Sequence, residues 1–164
     1  ACSRLKAIFL PLNWRLAEPE LCYMLSDASP KAVLADARFI ETAERICAKQ
    51  DGCQAVQIGE GTEFHDLLLG GDRIEDLCEP FHSDIWHILY TSGTTGRPKG
   101  AMLSHGQNYL QAVNLGLEYG VTHESVGLTY TPTFHATLAV FMAAVTARSR
   151  TMASSPTSNT GLVY

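Results

Sequence analysis

Apolar residues recur along this chain in two patterns, short unbroken runs and stripes at helical spacing, and the two alternate. The run Ala7-Ile8-Phe9-Leu10, within Lys6 to Leu12 and bounded by Pro11, predicts a strand. Glu18 to Asp27 predicts a helix: Pro19 suits its first turn, and Leu21, Met24 and Leu25 fall on one face. Ser29-Pro30 stops it, and Ala32 to Ala35 follows as a short buried strand. Ala37 to Lys49 predicts a second helix, with Asp36 as N-cap and Ile40, Ala43, Ile46 and Cys47 on its inner face. Asp51-Gly52 breaks that helix before a third strand, Gln54 to Ile58. Strand, helix, strand, helix, strand in this rhythm predicts an α/β unit with parallel pairing.

The next segment, Gly59 to Pro80, is rich in Gly, Asp and Glu and predicts a connection with short helices such as Phe64 to Leu69. Gly59-Glu60-Gly61 opens like a GxGxxG fingerprint but lacks the third glycine, so it carries little weight. A buried run from Ile85 to Tyr90 predicts a strand, and Ala101 to Leu103 another. Ser104 is placed to cap a helix reaching Tyr119, with Leu110, Val113 and Leu117 as its expected core face and Gly120 as its end. Val126 to Tyr130 predicts a strand, and Phe134 to Thr146, apolar nearly all round, a buried helix. From Ser149 the chain turns Ser/Thr-rich without periodicity. The division expected is therefore a domain over residues 1–148 and a tail of uncertain structure over 149–164.

Composition narrows the class. A chain of 164 residues with 46% hydrophobic and 18% charged residues can bury one core. A net charge of −5 leaves no basic field for nucleic acid. The longest apolar stretch, Leu138 to Val145, is too short to span a bilayer. Five cysteines without a CxxC, and six scattered histidines, argue against a disulfide framework or zinc site; reduced thiols and a cytoplasmic location are expected, and no metal-ligating residue is assigned. The start lacks Met and a signal-peptide pattern, so the chain is expected to begin inside a longer protein.

The chemistry concentrates after the Ile85 strand. Thr91-Ser92-Gly93-Thr94-Thr95-Gly96-Arg97-Pro98-Lys99-Gly100 packs four hydroxyls, three glycines and two cations into one loop. Glycines allow a tight turn and close approach of the backbone, and free N–H groups in such a turn point at anions. A polyphosphate is the ligand this suggests. It is not a Walker loop, because Pro98 stands where that motif needs a glycine before its lysine.

The whole stretch Tyr90 to Gly100 resembles the signature of the adenylate-forming superfamily, which includes acyl-CoA synthetases, aryl-CoA ligases, luciferases and peptide-synthetase adenylation domains. Leu10 to Asp36 resembles the segment that family carries upstream, Leu103-Ser104-His105 its helix entry, and Pro132-Thr133-Phe134-His135 its P-x-F-H element. Thr94-Thr95 and the Leu-Ser-His entry look more like acyl- or aryl-CoA ligases than peptide-synthetase domains. The fold this implies is α/β: a partial large N-terminal domain of an adenylate-forming enzyme, with a mostly parallel sheet flanked by helices.

The resemblance implies two chemical steps. A carboxylate attacks the α-phosphorus of ATP to give an acyl-adenylate and pyrophosphate; CoA then displaces AMP. Thr91, Ser92, Gly93, Thr94, Thr95, Gly96, Arg97 and Lys99 are the implied nucleotide-binding residues, with magnesium on the phosphates. Lys99 and His135 are the implied catalytic residues, Lys99 supplying charge or instead anchoring the loop, and His135 lying at the carboxylate and acyl pocket. The partners implied are a small-molecule carboxylic acid, fatty or other, and CoA, with no nucleic acid and no membrane span. Ala136-Thr137 replaces the glycine pair that often follows the histidine. The family's later runs, Tyr-Gly-x-Thr-Glu and Thr-Gly-Asp, do not occur in these 164 residues. The expectation is a piece that is inactive alone. The competing expectation is a degenerate module that binds nucleotide or a partner without turnover.

Overall fold

The computed structural model describes residues 2–70, 79–91, 96–129, 132, 134–135 and 150–153. After a 3-10 turn at Cys2–Leu5, the elements are α1 (Glu18–Ala28), β1 (Ala32–Ala35), α2 (Ile40–Cys47), β2 (Gln54–Gln57) and α3 (Glu63–Gly70). Then come β3 (Ile85–Thr91), β4 (Lys99–Ser104), α4 (His105–Glu118), β5 (Val126–Thr129) and β6 (Arg150–Ala153). β1 pairs with β2 in parallel, Ala32 opposite Gln54 and Ala35 opposite Gln57. β5 and β6 are also parallel. β3 and β4 form an antiparallel hairpin. The class is α/β.

The core lies between the first two helices and the β1–β2 pair. Leu21, Met24 and Leu25 of α1 meet Ala43, Ile46 and Cys47 of α2 over Val33 and Ala35 of β1, with Leu10 and Leu12 closing one side. The stripes that predicted these helices are the faces they bury. Glu18 bridges the pair on the outside, accepting from Lys49 Nζ at 2.7 Å and Arg45 Nε at 3.2 Å. Those bonds hold its carboxyl below the usual range, Lys49 first. Being exposed, they orient the helices more than they stabilise them.

Several expectations change. The Lys6 to Leu12 segment is not a strand; Phe9 alone makes a parallel bridge to His87. Pro11 denies it a ladder N–H, and Leu10 and Leu12 sink into the core instead. Asp36 does not cap α2. Its carboxylate accepts from Arg38 N at 2.9 Å and holds a turn through residues 37–39, so α2 starts at Ile40. Cys47 and Cys53 form a disulfide across the turn after α2, Cα to Cα 5.1 Å, which corrects the expectation of reduced thiols. Gly52, at φ 72°, reverses the chain and brings the two together. Cys22 remains a thiol. Within the expected tail, Arg150–Ala153 is a strand whose register sets Val126 opposite Arg150. The helix expected over Phe134 to Thr146 falls mostly outside the described residues. Among the described residues no helix is long and apolar enough to cross a membrane.

α4 begins where the sequence places it. Ser104 Oγ accepts from Gln107 N at 3.2 Å, and Gln107 Oε1 accepts from Ser104 N at 2.8 Å, a complete capping box. Its buried face is not the expected one. Asn108 and Ala112 turn inward, while Leu110 and Leu117 are exposed. Asn108 Nδ2 donates to Ser104 O at 2.8 Å and lies 3.5 Å from His87 Nδ1, which fixes the helix rotation with small and polar residues inward.

Candidate functional site

β3 delivers its last residues, Tyr90 and Thr91, to one rim of a cavity of about 450 Å³. β4 runs back from Lys99, paired with Thr91 across the hairpin, and Gly100 pairs with Tyr90. The hydroxyl-rich loop is therefore a hairpin tip whose two ends are fixed by ladder hydrogen bonds. Ser92, Gly93, Thr94 and Thr95 lie outside the described residues. Gly96 takes φ 87°, a conformation that favours glycine.

The cavity brings together what the sequence kept far apart. Thr91 and Pro98 stand at the feet of the loop; Phe134 and His135 line the same space, with Met24 and Glu20 of α1 beneath them. His135 N donates to Pro132 O at 3.1 Å, a local turn that presents the ring at the surface. Glu20 is occupied at the start of α1, where Oε2 accepts from Ala17 N at 3.0 Å. Lys99 is exposed at the first position of β4 and is not part of the cavity lining.

Arg97 is exposed, and its guanidinium carbon lies 5.8 Å from the centre of the Tyr23 ring on α1. At the other foot, Tyr90 Oη donates to Asp27 Oδ2 at 2.6 Å, and burial together with that carboxylate pushes the phenol pKa up. Tyr23 and Asp27 carry no mark in the sequence. They belong to the polar side of a helix read for its apolar stripe, and Asp27 lies 63 residues before Tyr90. Their one legible feature is their i, i+4 spacing.

Beside the site, β3 buries His87 with 2% of its surface exposed. Burial, and then the charge of nearby His105, lowers its pKa to about 4. The ring packs edge-on against Trp86 at 4.4 Å.

The described residues bring the two feet of the loop, Thr91 and Pro98, into one cavity with an imidazole and an aromatic ring. Known proteins carry the same arrangement of chain. A family model described as AMP-binding enzyme matches residues 1–162. The feruloyl-CoA synthase of an Amycolatopsis species is 35% identical over 140 residues, covering 83% of this chain and 26% of that protein. The indoleacetate–CoA ligase of Aromatoleum aromaticum is 36% identical over 143 residues, covering 82% and 28%. The chain thus spans about a quarter of the length of these relatives. ATP-bound MatB from Rhodopseudomonas palustris superposes with a TM-score of 0.80 at 32% identity, over 93% of this chain and 31% of that one. The N-terminal domain of FACL13 from Mycobacterium tuberculosis, 24% identical, shares the fold with a TM-score of 0.82 over 93% of this chain and 39% of that one. The hairpin tip, the cavity beneath it and the match across residues 1–162 agree, and the chain belongs to the AMP-binding enzyme family, as part of the N-terminal domain of an adenylate-forming enzyme.

Proposed function

We propose that this chain supplies the pyrophosphate-handling wall of an ATP-dependent carboxylic acid–CoA ligase. The observation that carries the reading is the shared cavity: the feet of the signature loop and the Phe134-His135 pair face one space of about 450 Å³. In the adenylation step, negative charge builds on the β- and γ-phosphates as pyrophosphate leaves. Preorganised donors aimed at that charge lower the barrier. The hydroxyls and amides of Thr91, Ser92, Gly93, Thr94, Thr95 and Gly96 supply the donors. Lys99 and Arg97 add positive charge at the exit of the loop. His135 serves the carboxylate, and Phe134 gives its acyl group an apolar surface. A thiol, that of CoA, then displaces AMP.

Magnesium enters this reading with the nucleotide. Among the described residues no three His, Cys, Asp or Glu side chains stand together as a metal cage. Relatives named for aromatic acids support an aryl or acyl substrate.

The test is pyrophosphate release by the complete product of the gene, with ATP, CoA and a panel of aryl and alkyl carboxylates. Release that depends on a carboxylate, and falls roughly 100-fold in Lys99→Ala or Thr94→Ala, is the expected result. Nucleotide binding without release by any acid would instead identify a non-catalytic binding module and overturn the proposal.

A further inference from the structure

The signature loop meets α1 at both of its ends, at Tyr90 on the cavity rim and at Arg97 outside the lining. At the entrance, the Tyr90 phenol donates to Asp27 Oδ2 at 2.6 Å. At the exit, the Arg97 guanidinium sits over the Tyr23 ring at 5.8 Å, within cation–π reach. Tyr23 and Asp27 are one helical turn apart, so they share a face of α1. α1 is in turn firmly packed, with Leu21, Met24 and Leu25 each 2% exposed or less. We propose that Tyr23 and Asp27 are positioning residues: a two-point clasp by which a rigid helix sets the span and tilt of the phosphate loop.

Gly100 belongs to the same device. It pairs with Tyr90 across the hairpin. A Cβ built there would stand 2.8 Å from Ile88 Cγ2 and 3.1 Å from Tyr90 Cζ. The tyrosine ring therefore crosses the sheet over a position that only glycine leaves open, and this route takes its hydroxyl to Asp27. Three residues of the signature, Tyr90, Arg97 and Gly100, thus shape the ends of the loop through contacts outside its hydroxyl run. A loop held at both ends loses less freedom when it closes on an anion, which is how preorganisation raises affinity. The consequence for nucleotide rests on the function proposed above; the clasp itself does not.

The clasp has a local readout. Lys99 is exposed at the exit foot, whereas Arg97 is followed by Pro98 and resists trypsin, so tryptic cleavage after Lys99 reports opening of the hairpin foot. Tyr90→Phe, Asp27→Ala and Tyr23→Leu should each speed cleavage after Lys99, relative to cleavage after Lys31, by roughly three- to tenfold, the worth of one net polar contact. Asp27→Asn, which still accepts from the phenol, and Tyr23→Phe, which keeps the ring, should restore the slow rate. A purely structural role would speed both cleavages together and would not be rescued selectively. If Tyr90→Phe fails to fold, Tyr23→Leu carries the test, because that side chain is only half-buried. An unchanged ratio in Tyr23→Leu, or cleavage after both lysines rising in step, overturns the clasp. ATP is the second probe. Protection of Lys99 by ATP in the wild type, lost in the clasp variants, supports both proposals. A wild type that ATP does not protect, with the variants still cut faster after Lys99, refutes the nucleotide reading and leaves the clasp standing.

Discussion

His87 couples the stability of the hairpin to pH. Its ring is buried between β3 and α4, its Nδ1 3.5 Å from Asn108 Nδ2, with Trp86 edge-on and His105 the nearby ionisable group. Burial lowers its pKa from 6.5 to about 4. In the unfolded chain the imidazole takes a proton near pH 6.5, while in the fold it stays neutral until near pH 4. The unfolded state therefore binds more protons across that window, and stability falls as pH falls through it. Full expression of the shift is worth about 3 kcal/mol. Urea midpoints between pH 7 and pH 4 should drop in the wild type and stay flatter by about that amount in His87→Gln; identical slopes in the two proteins would refute this. At this scale the sequence was legible where chemistry is local. The density of hydroxyls and glycines after Thr91 is the local signal on which the proposed anion site rests. Tyr90 did not announce its bond to Asp27, because a hydroxyl–carboxylate pair 63 residues apart leaves no periodic trace. Nor did Arg97: in a loop it reads as free charge, and only the fold sets Tyr23 beside it.

Elements were legible in kind and less so in rotation and pairing. The stripe of α1 and the cap of α4 are both where patterning puts them, because each is decided within a few residues. The rotation of α4 is decided elsewhere. Asn108 reaches Ser104 O at 2.8 Å and approaches His87, so a polar residue takes the inner face and Leu110 and Leu117 face out. The antiparallel sense of β3 and β4 followed from the loop between them, short enough to close a hairpin. β6 was hidden because Arg150–Ala153 has no alternation and its partner, β5, begins 24 residues earlier (150 less 126). Ser104 offers the sharpest test at this scale. Ser104→Ala removes the bond from Gln107 N and opens the capping box, which should cost about 1 kcal/mol, while Ser104→Asp should keep most of it. The check is a lower urea midpoint with an unchanged m-value. An alanine variant as stable as the wild type would mean that the start of α4 is held by packing on the hairpin rather than by its cap.

The whole molecule pairs a well-made core with one wall of a cavity. Its core is closed: α1, α2 and β1 bury a continuous cluster, and the Cys47–Cys53 disulfide ties the end of α2 to the start of β2. Its site is one wall. The described residues give the feet of the signature loop and a histidine across a cavity of about 450 Å³. The runs that the family uses for adenine and ribose do not occur in the 164 residues, and the chain spans 26% and 28% of two ligases it resembles. Binding and turnover should therefore separate. On the function proposed above, a loop with four hydroxyls, its amides and two cations can hold polyphosphate without further groups. Catalysis needs further groups aimed at the reacting centre, and each absent donor costs on the order of 100-fold in rate. The 164-residue chain should bind ATP weakly, yet release pyrophosphate with any carboxylate at less than about one ten-thousandth of the rate of a complete ligase, as two missing donors imply. Calorimetric titration with ATP, beside a coupled pyrophosphate assay on the same preparation, measures both quantities. Carboxylate-dependent release within about tenfold of a complete enzyme would show that the missing groups are supplied from within this chain, since the two absent donors alone cost far more than that.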